Sequence, residues 1–215
     1  MATKWMAAVV AALVSMLTGG CLVYDRTDTF YLEPDGSVIW SVIEKDVRSD
    51  AEAPADRARE EAEYFAAVMA QHHELARGLR QLTPIDLRTR VLRTTLPYTV
   101  VTEGKFSGLD VLGQRLIARL GLAGSSVLEV TPEGTQWTFT VRESVASHDG
   151  GDDDDMAGLA RGLDRMQFVL TRGRFAAAQG FELSADGRVA RFVEDAAAEA
   201  RIAEGADFVL SLRWR

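Results

Sequence analysis

Three groups of residues in this chain have types that could do chemistry: an acidic run with one histidine, a histidine pair, and a single cysteine. The acidic run is SHDGGDDDD, in which His148 to Asp155 supply the ligand-type side chains. Carboxylate oxygens suit Ca²⁺, and Gly150-Gly151 would let the backbone turn around an ion. The spacing matches no calcium loop, and four consecutive aspartates cannot all aim at one cation. The stretch therefore reads first as a solvated loop and second as a weak cation binder. His72 and His73 are adjacent, so on a helix their side chains diverge by about 100° and cannot chelate one ion together. Helical metal pairs need i,i+4 spacing, which is absent. His72 falls on an apolar stripe and reads as a core or rim residue. There is no G-x-S-x-G; GKFSG, Gly104 to Gly108, is only superficially close. No glycine loop that would cradle phosphate and no redox cysteine pair occur. Carboxylates that meet in space rather than in sequence stay open. The residues thus predict no catalytic, cofactor or metal site, and a protein that is not an enzyme.

The cysteine is Cys21, the only one in the chain, and it follows MATKWMAAVVAALVSMLTGG. Lys4 forms a short basic start, and Trp5 to Leu17 carries no charge. That stretch is shorter than the roughly 20 apolar residues a membrane-spanning helix needs. It has the length of a secretory h-region, and Thr18, Gly19 and Gly20 are small enough for a cleavage site. A spare thiol elsewhere in a secreted domain would risk unwanted pairing, and none is present.

This beginning resembles a bacterial lipoprotein precursor. The resemblance covers about the first tenth of the chain, and the family's preferred Leu three places before the cysteine is shifted here: Leu17 sits four before Cys21. It implies that residues 1–20 are a signal peptide, that the Cys21 sulfur receives a diacylglycerol, and that the new amine is open to acylation. The membrane would then be reached through lipid on Cys21, and residues 21–215 would form one extracytoplasmic domain. In enteric-type bacteria an Asp after the cysteine tends to retain lipoproteins in the inner membrane. Leu22 stands there instead, which implies the outer membrane, facing the periplasm.

Composition narrows the partners. The formal net charge is −8, and losing a leader with Lys4 makes the mature part more negative. Such a chain is repelled by nucleic acid and by anionic lipid, so no nucleic-acid partner is expected. Hydrophobic residues make up 47%, enough for a full core and unlike a disordered chain. Without a second cysteine, stability has to come from packing.

The elements that would position these residues follow from periodicity. YLEPDGSVIW, LEVTPEGTQW and FELSADGRVA each set an acidic residue and a glycine between strand-like runs. Pro34-Asp35-Gly36, Pro132-Glu133-Gly134 and Ala185-Asp186-Gly187 suit turns whose glycine takes positive φ. QWTFTVR, FVLSLRWR and IDLRTRV alternate, with Trp137, Phe139 and Val141, then Phe208, Leu210, Leu212 and Trp214, then Ile85, Leu87 and Val91, on one side. Ala51 to Leu82 predicts one long helix, with Pro54 in its first turn and Ala58, Ala62, Phe65, Met69, His72, Ala76 and Leu79 on one stripe. Shorter helices are predicted over Leu109 to Leu120 and Val193 to Glu204. The expected fold class is α+β: one antiparallel sheet built from hairpins, with a long helix and two shorter helices on one face. Only LVYDRTD separates Cys21 from the first expected strand, roughly 25 Å at full stretch, so a long flexible tether is lacking and the domain is expected close to the bilayer.

These features lead to a lipid-anchored envelope protein that acts by binding or assembly rather than catalysis. One alternative is a carrier with an apolar cavity of a few hundred Å³ between sheet and long helix. Trp40, Trp137 and Trp214 would line such a pocket, or else fill the core. The other alternative is an enzyme without a local motif. Assembly predicts an exposed apolar patch or a free sheet edge.

Overall fold

The computed structural model describes residues 22–119, 122–142, 166–193 and 207–215. Strands β1 (Leu22–Leu32) and β2 (Val38–Ser49) come first, followed by helices α1 (Pro54–Met69) and α2 (Glu74–Gln81). Strands β3 (Asp86–Arg93) and β4 (Tyr98–Phe106), helix α3 (Leu109–Arg119), and strands β5 (Ala123–Thr131) and β6 (Gly134–Arg142) form the middle of the chain. Strands β7 (Met166–Leu170), β8 (Phe175–Gln179), β9 (Phe181–Leu183), β10 (Val189–Phe192) and β11 (Phe208–Trp214) complete it. Among the described residues, no helix is long and apolar enough to cross a membrane.

The expected α+β class is overturned. Strands account for 53% of the described residues and helices for 22%. There are two sheets, not one: seven strands in the order β3-β4-β2-β1-β7-β10-β9, and four in the order β5-β6-β11-β8. The larger sheet is not purely antiparallel either, because β1 and β7 pair in parallel, with Phe30 beside Phe168. Alternation shows that one face of a strand is buried, but it does not say what covers that face. The helical cover inferred from it is replaced, at Trp137, by a second sheet: its ring lies 5.5 Å from that of Phe168.

By internal packing the chain divides into two units. The second holds residues 27–42, 75–88 and the described residues from 102 onward. Its core is apolar and aromatic, built on Phe30, Phe106, Trp137, Phe139, Phe168, Leu170, Leu210 and Leu212. The alternation in β6 and β11 holds: Phe139 pairs with Leu210 and Trp137 with Leu212, all four buried. The three turns form as expected, with φ of 83° at Gly36, 140° at Gly134 and 67° at Gly187. At Gly134 a Cβ would also run into the Trp214 carbonyl oxygen, so the position is closed to larger residues twice over. In IDLRTRV, Leu87 and Val91 are half-buried but Ile85 is exposed, because it precedes an edge strand.

The long helix is two helices. It stops at Met69, and Gln71 takes a left-handed φ of 55°. The His72 amide donates to the Ala67 carbonyl at 2.8 Å and the Gln71 amide to that of Val68 at 2.9 Å. That double closure is a Schellman stop, which usually carries glycine at the left-handed position. Here glutamine stands there, so the break leaves no glycine signal in the sequence. The buried face of α1 also differs from the expected stripe. Glu61 and Val68 are buried, whereas Ala58, Ala62 and Met69 are exposed. Beyond the break, Ala76, Leu79 and Leu82 are buried as the spacing predicts. In α3 Leu109 and Leu112 are buried as well, while Leu120 and nearly all of Val193 to Glu204 lie outside the described residues.

Candidate functional site

Cys21 and the run His148 to Asp155 lie outside the described residues. The short connector expected after Cys21 is instead strand: β1 opens at Leu22. His72, expected at the core or its rim, is exposed, and His73 is buried instead, because the helix ends before either residue. The tryptophans sit in packing positions rather than around a pocket. Trp40 stacks on Phe30 at 5.0 Å and donates from Nε1 to Asp28 Oδ1 at 2.8 Å. Trp137 donates to Ser126 Oγ at 2.9 Å, and Trp214 meets Phe175 edge-on at 6.3 Å.

Three of the four buried ionisable side chains among the described residues, Glu44, Glu61 and His73 but not Asp28, lie in the first unit, which holds residues 22–26, 43–74 and 89–101. Glu44, Ser49, Glu61 and His73 are all buried there. A buried polar group costs stability unless it finds a partner, and Glu44, Ser49 and Glu61 have hydrogen-bond partners. The Ser49 amide donates to Glu61 Oε1 at 3.1 Å, and the Ser49 hydroxyl donates to Glu60. The Ala51 amide donates back to Ser49 Oγ at 3.0 Å. Arg57 closes the loop, donating from Nε and Nη2 to the Ala51 carbonyl at 3.2 and 3.0 Å. One turn further along α1, the Tyr64 hydroxyl donates to Glu44 Oε2 at 3.1 Å. Burial pushes the Tyr64 phenol well above its ordinary range, helped by the Glu44 charge and by the bond to it. Tyr64 therefore stays a neutral donor through the physiological range. The His73 ring packs edge-on against Tyr64 at 6.4 Å.

Phenol, imidazole and carboxylate are acid–base types, but here they tie α1 to the end of β2. A substrate would first have to reach groups such as Glu44, which is 4% exposed. Among the described residues no group of three or more His, Cys, Asp or Glu is arranged to hold a metal ion. The sequence signal was present: Glu61, Tyr64 and Val68 follow helical spacing. The alanine-rich stripe beside them has the same period and looked more apolar.

The surface of the same unit carries a depression of about 170 Å³ lined by Val23, Tyr24, Asp25, Asp46 and Arg48. It is smaller than the cavity expected of a carrier, and two aspartates and an arginine line it. Asp46 sits inside β2 with a φ of 54°, a left-handed conformation that side chains other than Gly, Asn and Asp seldom adopt. It faces Val23, Tyr24 and Asp25 across the depression, and its Oδ1 receives Arg93 at 3.8 Å. Beyond Arg93 the chain turns into β4, and Leu92 and Leu96 flank that turn exposed to 58% and 47%.

No protein-family model matches the chain, and no curated protein matches it. Among solved structures it is similar to the folded domain of LppM from Mycobacterium tuberculosis, determined by NMR. The two share 9% identity over 92% of this chain and 91% of that one, with a TM-score of 0.36. At that TM-score neither a shared fold nor a shared activity follows.

Proposed function

We propose that this protein is a lipid-anchored component of the bacterial cell envelope, held by acyl chains on Cys21 and acting by binding or assembly rather than catalysis. One observation carries the reading: the only cysteine ends an apolar leader and directly precedes the first residue of β1. Buried acyl chains contribute about 0.8 kcal/mol per CH₂, so two or three of them hold a domain firmly without a basic patch. Without a tether the folded part stands on the bilayer itself. Leu22 in place of Asp favours the outer membrane, facing the periplasm. Binding rather than catalysis is favoured because Glu44 and Glu61 are buried and serve as hydrogen-bond acceptors within the fold.

Metabolic labelling with a radioactive fatty acid tests the anchor. The wild type is expected to take up label and Cys21→Ala to take up none. A native chain with a free thiol at Cys21, or one that begins elsewhere, overturns the reading by mass spectrometry.

A further inference from the structure

We infer that the turn between β3 and β4, with Leu92 and Leu96, is a second membrane contact that sits in the headgroup layer of the bilayer holding Cys21. The inference rests on the lipid anchor proposed above and adds to it the surface that meets the lipid.

The placement follows from Asp46. This residue faces Val23, Tyr24 and Asp25 at the start of β1, and it also receives Arg93 from the end of β3. The turn after Arg93 and the strand start after Cys21 therefore lie at the same end of the first unit. The strand order β3-β4-β2-β1 separates them by three strand spacings, roughly 15 Å. An acylated residue directly before Leu22 leaves no slack, so the bilayer surface lies beside Leu22. A turn at the same end then falls within reach of the headgroups.

The chemistry of the turn fits that occupant. Leu92 and Leu96 are large apolar side chains exposed at a chain reversal, and Tyr24, exposed beside the anchor, is amphipathic. Apolar side chains beside an aromatic one suit a membrane interface. Arg93, on the same strand, is paired with Asp46, so the apolar side chains rather than charge carry the contact. A protein partner would also accept Leu92 and Leu96, but the absence of a tether favours the bilayer.

Depth-dependent fluorescence quenching on the full lipidated chain tests this. In native protein the Cys21 thiol is consumed by lipid, so a thiol-reactive environment-sensitive dye enters only at an introduced site. Leu96→Cys and Leu92→Cys report on the turn. Met69→Cys is the reference: it is 64% exposed in the same unit. It lies about 12 Å further along α1 from Glu61, which bonds the end of β2. The proteins are placed in vesicles of phosphatidylethanolamine and phosphatidylglycerol carrying spin-labelled lipid. Quenching at Leu96→Cys and Leu92→Cys is expected to exceed that at Met69→Cys at least threefold, with a blue-shifted emission. Equally weak quenching at all three sites, with one dye per chain, overturns the turn contact and leaves the anchor standing. Equally strong quenching at all three overturns it too, because the contact is then not specific to the turn. Two dyes per chain show an unmodified Cys21, which overturns the anchor and this inference together.

Discussion

In the second unit the large buried side chains are rings and aliphatic chains: Phe30 against Phe168 at 4.9 Å, Phe168 against Phe181 at 5.3 Å, with Leu210 and Leu212 beneath; the buried polar groups among them are Asp28 and the hydroxyls of Thr29, Ser37, Ser41 and Thr102. In the first unit Val47, Val68 and Val100 share the interior with Glu44, Ser49, Glu61 and His73. An apolar core depends on volume, and its attraction has no direction. A core with buried carboxylates depends on direction, because each acceptor must meet its donor. Directed ties thus weigh more in the first unit and filled space weighs more in the second, where Asp28, held by Trp40, is the buried carboxylate among the described residues.

That contrast sets the expected effects. Phe168→Ala removes a ring that touches Phe30, Trp137 and Phe181, and is expected to cost about 3–5 kcal/mol in urea denaturation. A loss below about 1 kcal/mol would mean that the core closes over the gap, and the contrast would weaken. Glu61→Ala leaves the buried Ser49 amide without its acceptor and is expected to cost about 1–3 kcal/mol. Glu61→Gln keeps an acceptor oxygen and is expected to cost less. Amide hydrogen exchange at Ser49 should accelerate in Glu61→Ala, and an unchanged rate would show that the carboxylate is not the tie.

The smallest effect concerns the turns of the second unit. Asp35 is held below its ordinary value of 3.8 chiefly by the Ser37 hydroxyl, and Asp186 is held down likewise by Ser184. A depressed carboxylate contributes stability above the unfolded pKa and loses it as pH falls through the folded one. The Ser37 amide resonance should therefore hold steady from neutral pH down to about 4 and move only below that. Asp35→Asn should abolish the movement; a Ser37 shift already complete at pH 5 would contradict the assignment.

Local features were legible in the sequence to different degrees. Alternation placed Trp137, Phe139 and Val141 on a buried face, and Pro-Asp-Gly, Pro-Glu-Gly and Ala-Asp-Gly marked turns that form. Both signals act within a few residues. Ala51 to Leu82 reads as one helix in the sequence because its stop uses Gln71 where glycine is usual, and glutamine also suits helix interiors. The polar site is not legible in the sequence because Glu61 joins a core only when Ser49 meets it from another element.

By itself the sequence determined where the strands turn, which faces of β6 and β11 are apolar, and that the single thiol follows an apolar stretch. Those follow from backbone preference and side-chain period, which need no distant partner. Tertiary structure alone decided that a second sheet covers the first at Trp137. It alone made Glu44 and Glu61 interior residues and brought Leu92 and Leu96 to the end of the unit where β1 begins. Each of these outcomes depends on residues far apart in the chain meeting in space, and periodicity carries no information about such meetings.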